Sequence, residues 1–182
     1  MSLKKHLVEA TALITVGNPA FTALEMMCGM PHQTSINARI YGTGLIYLGL
    51  ASLITKGRKY SLNYWNIDFE RKKYLLDIHD ALYSMSVSLA TAPLFYWAMG
   101  GKNLKEIALG TSVSASLGLF LGMPSLYAVD AFNDFADIEP SNRLPEIIKN
   151  SSKKTKKTIM GIAALTSLGL TAAIYALTLY KN

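Results

Sequence analysis

The stretch from Ile107 to Val129 contains no charged residue. About 20 residues of helix cross the hydrocarbon core of a bilayer, so this run alone admits a membrane-spanning helix. Along it, Gly110, Ser114, Gly118 and Gly122 recur at every fourth position. On a helix they share one face and form a groove of small side chains that a second helix can approach closely. Ser112 and Ser116 lie beside the groove, and Asp130 closes the run at one membrane edge. The run reads as a packing helix against which the other segments must fit.

Composition agrees with a membrane environment. Only 16% of the 182 residues are charged and 51% are hydrophobic, whereas a soluble domain carries about 25% charged residues. The net charge of +6 raises nucleic acid as a partner. The basic residues, however, lie between apolar runs, where membrane topology expects them, so nucleic-acid binding is excluded. Cys28 is the single cysteine, which rules out an intrachain disulfide. Lys4-Lys5 before an apolar stretch has the look of a signal peptide. Glu9, Asn18, Pro19 and Glu25 interrupt that stretch, so it is read as a retained first helix.

Five spans follow from the pattern: about 6–28, 38–55, 77–99, 107–129 and 159–179. The expected fold is an all-α polytopic helical bundle, built from two helix hairpins in parallel repeat plus a fifth transmembrane helix. Residues 1–137 would form a four-helix transporter-like core, and 138–182 a basic linker and the extra helix. Each hairpin has a proline (Pro19, Pro93), a glycine turn (Gly29, Gly101) and then a helix rich in small residues, a plan that transporters use. Residues 56–73, with Lys56, Arg58, Lys59, Arg71, Lys72 and Lys73 among Tyr60, Tyr64, Trp65 and Phe69, are expected to form a loop on the membrane surface. Phe95, Tyr96 and Trp97 suit an interfacial aromatic belt. With the N-terminus inside, only Arg39, Lys102, Lys105 and Lys181 of the 18 lysines and arginines fall outside. That asymmetry orients the N-terminus to the cytoplasm and the C-terminus outward.

No nucleophile–base set, zinc spacing or phosphate loop is present. The chain is therefore read as a non-enzyme without metal or other cofactor. The ionisable residues at or within the apolar runs are Glu9, Glu25, Arg39, Asp77, Asp80 and Asp130. Intramembrane acids are candidates for proton or substrate sites. Asp77, Asp80 and Asp130 have a second reading as solvated helix ends at the inner edge. An ion pair between Glu25 and Arg39 is expected across the first hairpin. Gly17-Asn18-Pro19 interrupts the first helix either as a packing kink or as a break whose half-helix N-terminus holds a carboxylate.

In this order the residues resemble the bacterial L-alanine exporter family. The matching features are Glu9, Asn18, Glu25, the pair Gly29-Met30, Arg39, Pro93 with Tyr96, Gly101, Gly122 and Asp130, over about residues 9–134. The resemblance implies an inner-membrane exporter of L-alanine or related small neutral amino acids, driven by the proton gradient. Taken with the reading of the ionisable residues and the helix break, the expected transport residues are Glu9, Asn18, Pro19, Glu25, Arg39, Asp80 and Asp130. Family members look like four-helix proteins, so the last helix is a departure, and Glu9 stands where the family tends to have aspartate. Four or five helices make a thin wall around a pathway, so a homo-oligomer in the bilayer is expected.

Two other classes compete. Asn133-Asp134 and Asp137, followed by Asn142-Arg143, look like part of the magnesium-binding motif of membrane prenyltransferases, with Asp130, Asp134 and Asp137 on one helical face. The next acid of that motif is replaced by Ser141. A non-transporting membrane assembly subunit would use the groove of Gly110, Ser114, Gly118 and Gly122 to bind a partner helix.

Overall fold

A computed structural model describes residues 2–67, 73–98 and 103–179. Every regular element among them is helical: α1 (Leu3–Met27), α2 (His32–Leu45), α3 (Ala51–Tyr64), α4 (Lys73–Ala98), α5 (Leu104–Phe135), the short α6 (Glu146–Lys149) and α7 (Lys153–Leu179). The expected turn at Gly101 and the basic residues Arg71, Lys72, Lys102 and Lys181 lie outside the described residues, as does Phe69.

Four stretches are long and apolar enough to cross a membrane: Leu3–Met27, His32–Tyr64, Gly110–Phe135 and Lys153–Leu179. By length and composition they are compatible with a membrane protein. The third expected crossing segment, α4, has the length but carries Asp77, His79, Asp80 and several hydroxyls in its first half.

Local chemistry sets the helix ends. The Ser2 hydroxyl accepts the Lys5 N–H at 3.3 Å and caps α1. The other end closes with Gly29 at φ 75, where the Met30 N–H reaches the Glu25 carbonyl at 2.9 Å. This glycine-terminated cap satisfies carbonyls that the helix leaves open. α5 ends the same way, with Asp137 at φ 55 and the Ile138 N–H on the Asn133 carbonyl at 2.9 Å.

Three expectations need correction. α1 runs unbroken through Pro19, so there is no half-helix N-terminus at Asn18. The irregularity lies in the next segment, where a π-turn over Ile46–Leu50 separates α2 from α3 and Gly49 adopts φ 144. The segment 30–37, which falls between the first two expected spans as a loop, is mostly helix, because α2 starts directly after Pro31. The expected surface loop at 56–73 is helical as far as Tyr64. Arg58 therefore sits one and two turns beyond Thr55 and Ala51 on one face of α3, and all three are buried.

The described contacts divide the chain into two units, residues 1–52 with 125–182, and residues 53–124. In the first, α7 packs along α1. A small apolar core gathers Ala12 of α1 with Val129, Ala131, Phe132 and Phe135 of α5 and Leu144, flanked by Val8, Met160 and Ala163. In the second, α4 fills the small-residue groove of α5. A Cβ added to Gly118 would stand 2.8 Å from the Ser84 carbonyl oxygen, and one on Gly122 would stand 2.6 Å from that of Asp80. Gly110 meets the Tyr96 ring, and Ser114 lies 3.2 Å from the Tyr96 hydroxyl. Lipid tails are as apolar as the side chains they would replace, so this close backbone approach, rather than hydrophobic burial, is what holds membrane helices together. The groove is thus occupied within the chain.

Candidate functional site

A buried polar assembly of the first unit forms where α1, α2 and α7 meet. Glu25 ends α1 with 2% of its surface exposed. Arg39, near the middle of α2, donates from Nη2 to one carboxylate oxygen at 2.6 Å. Ser35, one turn earlier, donates to the other oxygen at 2.6 Å. The single proton of the Ser35 hydroxyl is thereby committed, so Ser35 Oγ accepts from the Tyr175 hydroxyl of α7, 2.8 Å away. Arg39 also lies over the Phe21 ring at 4.7 Å from its centroid. His32 and Thr178 join α2 to α7 beside this group at 2.8 Å.

Two polar atoms are left open there. Arg39 Nε and Thr22 Oγ1 are buried with no hydrogen-bond partner, and Thr22 is one turn from Glu25 on α1. Buried polar groups are normally satisfied, so such exceptions mark places where something else can bind. The arrangement offers a guanidinium for a carboxylate, a carboxylate for an ammonium, and a hydroxyl. A zwitterionic amino acid carries both complementary charges.

At the other end of α1, Glu9 is 1% exposed. It accepts from Asn133 Nδ2 at 3.4 Å and lies 3.9 Å from Lys5 Nζ. Asn133 Oδ1 is buried and unpaired. Lys5 reaches on to Glu139 at 2.5 Å, and Lys4 donates to the Ala136 carbonyl at 2.6 Å. Between these ends, Asn18 donates to Thr43 Oγ1 at 3.2 Å. His6 closes the π-turn: its Nε2 is 2.5 Å from the Tyr47 carbonyl oxygen and its Nδ1 2.7 Å from Ser52 Oγ. A carbonyl only accepts, so the proton is on Nε2.

The acids at the end of α5 are matched with cations of the following segments. Asp130 pairs with Arg143 at 3.0 Å. Asp134 takes Lys156 at 2.6 Å and the Ser141 N–H at 3.0 Å. Asp137 lies beyond the helix end and is 3.3 Å from Lys153. The expected common face of Asp130, Asp134 and Asp137 is therefore not formed, because α5 stops at Phe135. Among the described residues, no group of three or more His, Cys, Asp or Glu side chains could hold a metal ion.

In the second unit, Asp80 has none of its surface exposed, so it is not the solvated helix end of one reading. Arg58 of α3 grips it with two parallel bonds, Nε to Oδ1 at 2.7 Å and Nη2 to Oδ2 at 2.8 Å. The neighbouring His79 is stacked on Tyr83, with centroids 5.9 Å apart. The Tyr83 hydroxyl donates to the Ile54 carbonyl at 2.8 Å.

Sequence reasoning brings Glu25 and Arg39 into one site but leaves out Ser35 and Tyr175, and it misses Arg58 as the partner of Asp80. Arg58 carried a usable signal in its helical spacing from Ala51 and Thr55. Tyr175 carried none, because its contact with Ser35 spans 140 residues. No family model matches the chain, and neither a curated protein nor a solved structure does.

Proposed function

We propose that the chain is a five-span inner-membrane exporter of small neutral amino acids, L-alanine first among them, coupled to protons. In this reading α4 also crosses, the N-terminus is cytoplasmic, the C-terminus is outside, and the working form is a homo-oligomer. The observation that carries it is the buried Glu25, held by Arg39 and Ser35 where three helices meet. Burying a charge pair costs free energy that is recovered only when every partner is in place. An amino acid that enters can exchange with the pair, its carboxylate going to Arg39 and its ammonium to Glu25. A planar guanidinium suits a carboxylate in two-bonded geometry. A small side chain suits a site closed by Phe21, Thr22 and Tyr175. The resemblance to the L-alanine exporter family, carried by Glu9, Asn18, Glu25, Arg39 and Asp130 among others, supports the substrate class.

The test is counterflow of radiolabelled L-alanine into proteoliposomes under an imposed pH gradient, with other amino acids as competitors. The expected result is exchange of alanine, raised by the gradient and abolished in Glu25→Gln. Absence of flux for every amino acid, from protein that is folded and reconstituted, overturns the exporter.

A further inference from the structure

The cluster around Arg58 and Asp80 contains a group that neither the substrate site nor helix packing uses. His79 is 8% exposed and faces a different partner with each ring nitrogen. Its Nε2 lies 2.8 Å from Ser61 Oγ. Its Nδ1 is buried, makes no hydrogen bond, and points toward Asp80 Oδ1 from 3.5 Å. Neutral imidazole has one N–H, whereas the imidazolium has two. Both nitrogens here already face an oxygen that can accept. The pocket is therefore complementary to the charged ring, which is the form with two protons to give.

Among the described residues, the charged and titratable groups seen beside the ring are Asp80 and Tyr83 on its own helix and Arg58 from α3. α5 meets this part of α4 with Gly118 and Gly122. The carboxylate that would receive the new proton's bond is the one Arg58 already holds.

We infer that His79 is a proton-binding site, and that its loading is the event coupled to transport. This rests on the exporter reading for its role, but not for its existence. In the loaded state a proton has come from the aqueous phase onto the ring. The neutral Arg58–Asp80 pair then becomes a cation–carboxylate–cation group with net charge +1. Asp80 Oδ1, which accepts from Arg58 Nε, must now serve His79 Nδ1 as well. Arg58 keeps its bond to Oδ2 and gives up part of its bond to Oδ1. Since Arg58 and Ser61 belong to α3 while His79 and Asp80 belong to α4, proton uptake redistributes the contacts between those helices. On release, the original two-bonded pair returns.

The decisive measurement is the charge state of His79 in the full-length reconstituted protein, by nitrogen NMR of histidine-labelled material. The signals of His6 and His32 are assigned with His6→Gln and His32→Gln. Histidine is the side chain suited to change charge between about pH 5 and 8. The expected result is conversion of His79 from the one-proton to the two-proton form on acidification, with the Arg58 Nε signal shifting at the same pH. A His79 ring that holds one charge state throughout overturns the site, and this outcome needs no change at His79 and no substrate. For the coupling role, His79→Gln in proteoliposomes should lose the response of alanine accumulation to an imposed pH gradient. A response equal to that of the unaltered protein overturns coupling. If the unaltered protein moves no amino acid at all, the exporter reading fails, and the NMR titration still decides whether His79 binds the proton.

Discussion

Arg58 and Asp80 form a two-bonded ion pair, at 2.7 and 2.8 Å, between α3 and α4, with 5% and 0% of their surfaces exposed. Breaking a buried ion pair by removing one member costs about 3–5 kcal/mol. Arg58→Ala and Asp80→Ala should each lower stability by about that much. Replacing both, as Arg58→Met with Asp80→Leu, should recover most of the loss. Denaturant titration of the purified protein in mixed micelles measures it. Single variants as stable as the unaltered protein would mean that the pair is solvated.

Gly118 and Gly122 should tolerate no side chain. Their Cβ atoms would meet the carbonyl oxygens of Ser84 and Asp80 at 2.8 and 2.6 Å, and backbone cannot yield as a flexible side chain does. Gly118→Ala and Gly122→Ala should each cost about 1–3 kcal/mol through overpacking. Gly161→Ala and Gly169→Ala in α7, where nothing lies within 4 Å of the new atom, should be neutral or gain up to about 1 kcal/mol of helix propensity. Thermal unfolding of the four variants side by side separates the two helices.

Gly49 holds a conformation that side chains rarely adopt, at φ 144. Gly49→Ala should cost about 1–3 kcal/mol of backbone strain. Pro19→Ala, inside a helix that is already continuous, should leave stability the same or higher. If Gly49→Ala proved harmless and Pro19→Ala damaging, the irregular point would belong in α1 after all.

Cys28 is exposed in the turn between α1 and α2 and is the single cysteine of the chain, so it reports topology without engineering. With the N-terminus inside, a membrane-impermeant maleimide should label Cys28 in intact cells. In a Cys28→Ser background, Asn103→Cys should label likewise, and Ser152→Cys only after permeabilisation. Protection of Asn103→Cys would show that α4 does not cross.

Much of the helical architecture could be read from the sequence, because long apolar runs announce themselves without tertiary information. The runs that became α1, α5 and α7 are of this kind. The errors cluster where local composition and three-dimensional context disagree. His32, Gln33, Thr34 and Asn37 look like a loop, yet they start α2, where Gln33 bonds to Asn37 one turn on at 3.0 Å. Lys56, Arg58 and Lys59 look like a surface run, and the helix then sorts them: Lys56 and Lys59 face out while Arg58 turns in. Pro19 suggested a break, but a helix can pass a proline when its neighbours hold it, and here Asn18 is tied to Thr43. Of the candidate site, the charges were visible and the hydroxyls were not. Ser35 and Tyr175 are ordinary residues until α7 folds back beside α2.

That return of α7 has a consequence for how the protein is made. Ser35 and Tyr175 are 140 residues apart. At roughly 5–20 residues per second of synthesis, Ser35 waits about 7–30 s before its partner exists. During that interval the Glu25–Arg39 pair lacks the wall that α7 supplies, and in the proposed membrane setting it would face lipid. Lipid, or a membrane chaperone, has to stand in for the last helix. A ribosome that stalls after α5 would therefore leave behind an inserted protein whose charged centre is open, a ready signal by which quality control can tell an unfinished chain from a finished one.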